Sequence, residues 1–135
     1  LYAYALAYND QSDQVDKQDL NLVGDSPSDT FSINLVKILQ CALNNDDQGF
    51  KTILNPAFSA KCKQDAELAW LVADCYALLG NKGEALNWLE QAVDRGFFNH
   101  EFFNNHDPFL EYLKKEPRFE EIMDKAKKLM SEIEY

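Results

Sequence analysis

Three cysteines are the first candidates for chemistry, because a thiolate can act as a nucleophile or bind a metal ion. They are Cys41, Cys62 and Cys75, and none stands in a CxxC pair or near a histidine. Cys41 and Cys75 fall on apolar faces of predicted helices, where a free thiol behaves as a small hydrophobic side chain. We therefore expect structural thiols, and reduced thiols suit a cytoplasmic location.

Two histidines are the second candidates, since imidazole and carboxylate groups together can bind zinc. His100 and His106 stand close to Glu101 and Asp107 in the sequence. Their spacing is neither the i, i+4 pair of a helical zinc motif nor that of a zinc finger. Surface or helix-capping histidines are the better interpretation, and no metal ion is expected.

The glycine pair Gly80 and Gly83 is the third candidate, because glycine-rich loops can surround a phosphate group. The pair follows no predicted strand and lacks the GKS/T sequence of a phosphate-binding loop. No paired acid and base, nucleophile or metal-ligand spacing emerges elsewhere. The sequence therefore predicts a protein that is not an enzyme and needs no cofactor.

Length and composition limit the remaining possibilities. The chain has 135 residues, with 23 acidic and 13 basic side chains, a net charge of −10 and 46% hydrophobic residues. A chain of this length can bury about two thirds of its unfolded surface in one domain. The negative charge argues against nucleic acid as a partner, because phosphate binding requires a basic face. No apolar run approaches the length of about 18 residues that spans a bilayer.

The first 30 residues differ from the rest. They hold six aspartates and a single lysine, which is half of the net charge of −10. The apolar run Leu1–Tyr8 has no basic flank of the signal-peptide type, and the first residue is not methionine. We expect residues 1–30 to be a degenerate or truncated helical segment with an acidic loop, cut from a longer chain. The apolar end is expected to allow a homodimer, and export or membrane signals could be missing.

Proline, glycine and capping residues divide the rest of the chain into helices. Predicted helices start at Pro27 after a Ser26 cap, at Asp46, after the caps Asp65 and Asn81, at Pro108 and at Pro117. Asn81 and Glu84 are expected to form a capping-box-like pair. The Asn55-Pro56 pair ends the second helix, because proline disfavours helical backbone in the residue before it. Gly80 and Gly96 end the third and fourth in the left-handed conformation. Nothing alternates in the manner of a strand, so the predicted fold class is all-α.

The last predicted helix and the aromatic residues before it are expected to close the fold. One apolar stripe of the helix contains Phe119, Ile122, Ala126, Leu129 and Ile133. Its polar outer face contains Glu121, Asp124, Lys125, Lys127 and Lys128. The aromatic residues expected to join it to the core are Phe97, Phe98, Phe102, Phe103, Phe109 and Tyr112. A terminal helix with one polar face is typical of the end of a stack of repeats.

Residues 66–99 contain a helix, a Gly-Asn turn and a second helix. Small residues stand where two helices must approach closely: Ala73, Ala85 and Ala92. Two large residues, Tyr76 and Leu89, fill the space between the helices, and Gly80 lies in the turn. A single hairpin of this kind cannot bury both of its faces, which implies stacked neighbours. This pattern resembles the tetratricopeptide repeat (TPR), a helix-turn-helix unit of about 34 residues.

The resemblance implies an architecture for the whole chain. A weaker copy of the pattern occupies residues 31–65, and capping helices occupy residues 100–135. The implied fold is a right-handed α-solenoid of stacked hairpins in one structural domain. The tail, with Asp107, Pro108, Pro117, Arg118 and Phe119, resembles the end of repeat arrays in bacterial multidomain regulators.

The resemblance also implies a function. The first helix of each TPR lines a concave groove, and the groove residues by position are Leu35, Leu39, Glu67, Trp70, Asp74 and Leu78. Lys, Arg and Asn are absent from the positions where the family holds acidic C-termini, so an amphipathic or basic peptide is the expected partner. The expected function is protein–protein interaction through an apolar, mildly acidic groove. The alternative is a C-terminal sensory or regulatory domain of a bacterial signalling or transcriptional regulator, which binds a small ligand or self-associates.

Overall fold

The computed structural model describes residues 27–96 and 107–133, with side chains for 31–96 and 107–132. These residues form an all-helical structure without a strand. The helices are α1 (Pro27–Leu43), α2 (Asp47–Ile53), α3 (Pro56–Lys63), α4 (Ala66–Leu78), α5 (Lys82–Asp94), a 3₁₀ helix (Pro108–Leu113) and α6 (Pro117–Ile133). The prediction of an all-α fold is confirmed for this part of the chain.

Several sequence predictions lie outside the described residues. They concern the apolar run Leu1–Tyr8 and its dimerisation, the acidic loop up to Ser26, the histidines His100 and His106, and the aromatic residues between Phe97 and Phe103. These remain predictions.

Contacts between residues divide the chain into two compact units, Leu1–Asn55 and Pro56–Tyr135. The division falls inside the stretch 31–65 that the sequence assigns to the weaker repeat. Helix α3 therefore groups with the helices that follow it and not with α1 and α2. The repeat boundary expected between residues 65 and 66 does not coincide with a boundary between units.

In the first unit α1 packs against α2. The carboxylate of Asp46 caps α2, and its Oδ1 accepts the backbone N–H of Gly49 at 2.9 Å. Ile38, Leu39 and Phe50 are fully buried. Helix α2 ends at Ile53, as the Asn55-Pro56 pair predicts.

Helix α3 is the element that the sequence analysis missed. Pro56 is its first residue, a position where proline's missing N–H costs nothing and its fixed φ angle suits the helix. Phe58 and Cys62 stand four residues apart on one face, and both are buried. The proline that ends α2 therefore also starts α3, and the apolar i, i+4 pair after it was the available signal.

The hairpin of α4 and α5 follows the predicted pattern closely. Asp65 caps α4, because its Oδ1 accepts the backbone N–H groups of Glu67 at 2.9 Å and Leu68 at 3.1 Å. Gly80 has a φ of +79°, in the left-handed region that glycine adopts without a steric penalty. The small and large packing residues of the repeat pattern are buried, while the turn residue Gly80 is exposed: Ala73, Tyr76, Ala85, Leu89 and Ala92 are the buried ones. The predicted caps and packing positions of this hairpin are confirmed.

The turn between α4 and α5 differs in one detail from the prediction. The N–H of Gly80 donates to the carbonyl of Ala77, and the N–H of Asn81 donates to the carbonyl of Tyr76 at 3.0 Å. This is a Schellman motif, which satisfies two carbonyl groups at the end of α4. Asn81 Oδ1 accepts the N–H of Glu84 at 3.3 Å, but the N–H of Asn81 is already used. Glu84 therefore cannot complete the predicted capping box with its side chain.

Helix α4 lies in the interior of the second unit. Every residue from Ala69 to Ala77 is buried, and α3, α5 and the 3₁₀ helix all pack against α4. A helix covered on all sides must be apolar around its whole circumference. The sequence AWLVADCYA meets that condition at every position except Asp74.

The two C-terminal helices close the unit. The segment from Pro108 forms a 3₁₀ helix, and α6 packs against α5. Phe119, Ile122 and Ala126 of the predicted stripe are buried, as is Met123. Leu129 is half-buried, and the side chain of Ile133 lies outside the described residues. The predicted outer face is exposed except for Lys125, which turns toward α5.

Candidate functional site

The predicted groove residues are mostly buried. Leu35 and Leu39 belong to the first unit and have 8% and 0% of their surface exposed. In the second unit Trp70 is 7% exposed and Asp74 is fully buried. Glu67 is exposed and Leu78 is half-buried, at opposite ends of α4. Of the four α4 residues, only the two nearest the helix ends are open to a partner.

Trp70 has a structural role, because it connects α4 to the 3₁₀ helix through a hydrogen bond. Its indole Nε1–H donates to Asp107 Oδ2 at 2.7 Å, in a buried hydrogen bond between residues 37 positions apart. Asp107 Oδ1 accepts the N–H of Phe109 at 3.0 Å and so caps the 3₁₀ helix. One carboxylate therefore fixes the start of the 3₁₀ helix against the middle of α4.

A surface depression lies between the end of α3 and one face of α5. Its volume is about 290 Å³, and we call it the outer depression. It is lined by Lys63, Glu84, Asn87, Trp88 and Gln91. The four α5 residues follow the spacing i, i+3, i+4, i+7, which places them on one helical face.

Helix geometry positions these side chains. Gln91 Nε2 donates to the backbone carbonyl of Lys63 at 3.3 Å, which ties α5 to the last residue of α3. Asn87 Nδ2 donates to Glu84 Oε1 at 3.5 Å. Because the Schellman turn occupies the N–H of Asn81, the Glu84 carboxylate extends toward the depression instead of back to the helix start.

One cationic side chain already lies in the outer depression. The ammonium group of Lys63 lies 5.3 Å from the centre of the Trp88 ring, within the range of a cation–π interaction. Lys61 and Lys63 stand in the last turn of α3, where the helix dipole places partial negative charge. Glu84 adds a full negative charge on the opposite wall.

A second polar cluster holds α6 against α5. Arg118 donates to Asn87 Oδ1 at 2.5 Å and to Glu90 Oε1 at 3.0 Å. Lys125 Nζ lies 2.5 Å from an oxygen of Asp94 and 3.7 Å from one of Glu90. The hydrogen bond to Asp94 raises the pKa of Lys125. These groups are partly exposed, so each pair contributes at most about 1 kcal/mol and mainly fixes the orientation of α6.

The cysteines lie where free thiols act as core residues. Cys62 and Cys75 are buried and Cys41 is half-buried, and none of the three is in a disulfide bond. Burial, followed by the nearby charge of Asp65, raises the pKa of Cys62 to about 11. Burial and Asp46 likewise raise the pKa of Cys41. Neither Cys41 nor Cys62 is poised to ionise at neutral pH, as a nucleophile or metal ligand requires.

The raised pKa of Cys62 predicts a pH dependence of stability. The thiol of the unfolded chain ionises near 9.0 and that of the folded chain near 11. The contribution of Cys62 is therefore fully present below pH 9 and is lost as the pH rises to 11, at up to about 1.4 kcal/mol per pH unit. Urea denaturation at intervals between pH 8 and 11 should show a shallower decline for Cys62→Ala than for the wild type. Cys41→Ala is the control with the smaller change, and parallel curves for all three proteins would contradict the prediction.

Residues 27–96 and 107–133 contain neither a metal-ion site nor a membrane-spanning helix. No group of three histidine, cysteine or carboxylate side chains there is arranged to hold a metal ion. In the same part of the chain, no helix is both long enough and apolar enough to cross a membrane.

The described fold and surface define an all-helical protein with one well-formed helical hairpin. Comparison of the sequence with models of protein families and with curated proteins, and of the fold with solved structures, found no match. The TPR resemblance therefore remains an interpretation of the residues that carry it.

The outer depression was not predicted from the sequence. Glu84 was predicted only to cap a helix, and no binding role was predicted for Lys63 or Trp88. The signal on α5 was available, since Glu84, Asn87, Trp88 and Gln91 share one face and three of them are polar. The contribution of Lys63 could not be anticipated, because it depends on α3, which the sequence analysis did not find.

Proposed function

We propose that this protein is a non-catalytic helical-repeat module that binds segments of other proteins. The hairpin of α4 and α5 is the repeat unit of a TPR-like stack, and α6 is its capping helix. The fully buried alanines Ala73, Ala85 and Ala92 support this proposal, because small residues at these positions let paired helices approach closely. The outer depression, on α5 of the same hairpin, is the observation that most supports binding.

The outer depression is a better binding surface than the interior face of α4. A partner that contacted Trp70 or Asp74 directly would have to displace the elements that bury them. Lys63, Glu84 and Asn87 are exposed. The indole of Trp88 beneath them is 4% exposed, with the Lys63 ammonium group over its ring, so a partner has to displace only one flexible side chain to reach it. Binding sites in proteins commonly combine an aromatic anchor with a few polar groups that fix orientation.

The partner is a basic or amphipathic segment. The net charge of −10 attracts positively charged chains and speeds their encounter with the protein. Glu84 supplies a negative group at the outer depression. Charge complementarity of this kind selects partners more than it determines the final affinity.

Fluorescence anisotropy with labelled peptides tests this proposal. We expect a set of arginine- and lysine-rich amphipathic peptides to bind, and acidic peptides of matched length not to bind. Glu84→Gln should weaken binding by up to about fivefold, the range of effects of one exposed charge pair. Glu67→Gln is a matched control, because it also removes an exposed acidic residue from the first turn of a helix.

The two variants also separate the alternative surfaces. A loss with Glu67→Gln and none with Glu84→Gln would return the binding site to the groove predicted along α4. No binding of any basic peptide by the wild type would contradict the proposed function.

A further inference from the structure

We propose that the outer depression is a subsite for an arginine side chain of the bound segment, and that Lys63 occupies this subsite in the free protein. This inference rests on the proposed function and specifies the chemistry of the partner. Lys63 is exposed, yet its ammonium group lies over the Trp88 ring, with 5.3 Å between Nζ and the ring centre. The protein thus already places a cation where a ligand cation would bind.

The size of the depression matches one side chain. Sites for drug-sized ligands and cofactors run from about 300 to 1,000 Å³, and this open depression is about 290 Å³. Trp88 is 4% exposed, so a flat, charged group can reach the indole only after Lys63 moves aside, and the depression has no room for a large cofactor. The flexible stem of Lys63 can leave without moving the helices, because the tie between α3 and α5 uses its backbone carbonyl and not its ammonium group.

The groups around the depression favour arginine over lysine. A guanidinium group is planar and has five N–H donors, so it can stack on an indole ring while it donates to a carboxylate. Trp88 provides the ring, and Glu84 provides a carboxylate on the same face of α5. Asn87 Oδ1 already accepts a hydrogen bond from Arg118, so the acceptor for a bound guanidinium group is the Glu84 carboxylate. An ammonium group has no comparable flat face.

The contact between Lys63 and the Trp88 ring is weak enough for a ligand to replace it. A cation–π contact at an exposed site changes an equilibrium constant by only about two- to fivefold. An arginine that stacks on Trp88 and also pairs with Glu84 gains two interactions where Lys63 gives up one. Removal of the Lys63 side chain should therefore increase the affinity for arginine, although it also removes a positive charge.

The test uses the indole N–H signals of the two tryptophans in an NMR titration of the full chain. The probe is N-acetyl-arginine amide, and its uncharged analogue N-acetyl-citrulline amide is the ligand control. The signal absent from Trp88→Phe identifies Trp88. We expect the arginine probe to shift the Trp88 signal and to leave the Trp70 signal in place, because the Trp70 N–H is buried and bonded to Asp107. The citrulline probe should shift neither.

Variants of two lysines test the role of Lys63. Lys63→Ala should bind the arginine probe about threefold more tightly than the wild type. Lys61→Ala removes the same charge from the same helix turn outside the depression, so any general charge effect should be common to both. Glu84→Gln should weaken binding. Equal affinities for Lys63→Ala and Lys61→Ala, or an unmoved Trp88 signal, would overturn the proposal.

The outcomes also distinguish this inference from the proposed function. Binding of basic peptides with an unmoved Trp88 signal would refute the arginine subsite and leave the interaction module standing. A shifted Trp88 signal with the arginine probe and no peptide binding would support the subsite and contradict the module.

Discussion

Asp107→Asn is expected to lower the free energy of unfolding by about 2 kcal/mol, the cost of one buried donor without an acceptor. The wild-type carboxylate uses both oxygens, Oδ2 for the indole N–H of Trp70 and Oδ1 for the backbone N–H of Phe109. Asparagine has one oxygen, so its NH₂ group must face one of these two donors. Because Asp107 is only 2% exposed, water cannot readily replace the lost acceptor.

The control is another capping carboxylate with a different geometry. Asp65 accepts two backbone N–H groups through Oδ1 alone, and it is exposed. Asparagine keeps that oxygen, so Asp65→Asn should cost less than about 0.5 kcal/mol. Urea denaturation followed by tryptophan fluorescence measures both values, and Trp70 and Trp88 both report on the second unit. Equal effects of the two substitutions would contradict the prediction.

A double-mutant cycle isolates the link between the elements. In the Trp70→Phe background the indole donor is absent, and the single side-chain oxygen of the introduced asparagine can accept the N–H of Phe109. The cost of Asp107→Asn should then fall by about 1 kcal/mol, a typical coupling energy for residues in direct contact. Additive costs would mean that the hydrogen bond between Trp70 and Asp107 does not link α4 to the 3₁₀ helix.

The sequence predicts the hairpin well because its signals are local. The cap Asp65, the glycine Gly80 and the cap Asn81 each act on atoms within a few residues, so their spacing nearly determines the helix ends. Apolar periodicity adds the buried positions of α5 and the start of the α6 stripe. In such segments local preference and packing agree, and prediction from one sequence succeeds.

The predicted groove depends on information that is not local. Trp70 and Asp74 stand at groove positions of a repeat, but their exposure is decided by what packs on α4 from elsewhere in the chain. The almost entirely apolar run from Ala69 to Ala77 was an available warning in the sequence, because a helix that lines an open groove needs a more polar face. To predict the outer depression, one needs the position of α3 relative to α5. The spacing of residues within α5 does not contain that information.

Ala92→Leu is expected to lower the free energy of unfolding by about 1–3 kcal/mol, the usual cost of overpacking a close-packed interior. Ala92 is fully buried on α5, the helix that packs against both α4 and α6. Three additional carbon atoms have no space there unless these helices move apart. Leucine and alanine have similar helix propensities, so the loss would report packing and not helix formation.

The same change at an exposed alanine supplies the comparison. Ala60 lies in α3 with its side chain exposed, and Ala60→Leu should change the free energy of unfolding by no more than about 0.5 kcal/mol. Urea denaturation followed by tryptophan fluorescence again provides the measurement. If Ala92→Leu were tolerated as well as Ala60→Leu, the helices of the hairpin would not be in close contact at this position. The alanine pattern that carries the repeat interpretation would then lose its physical basis.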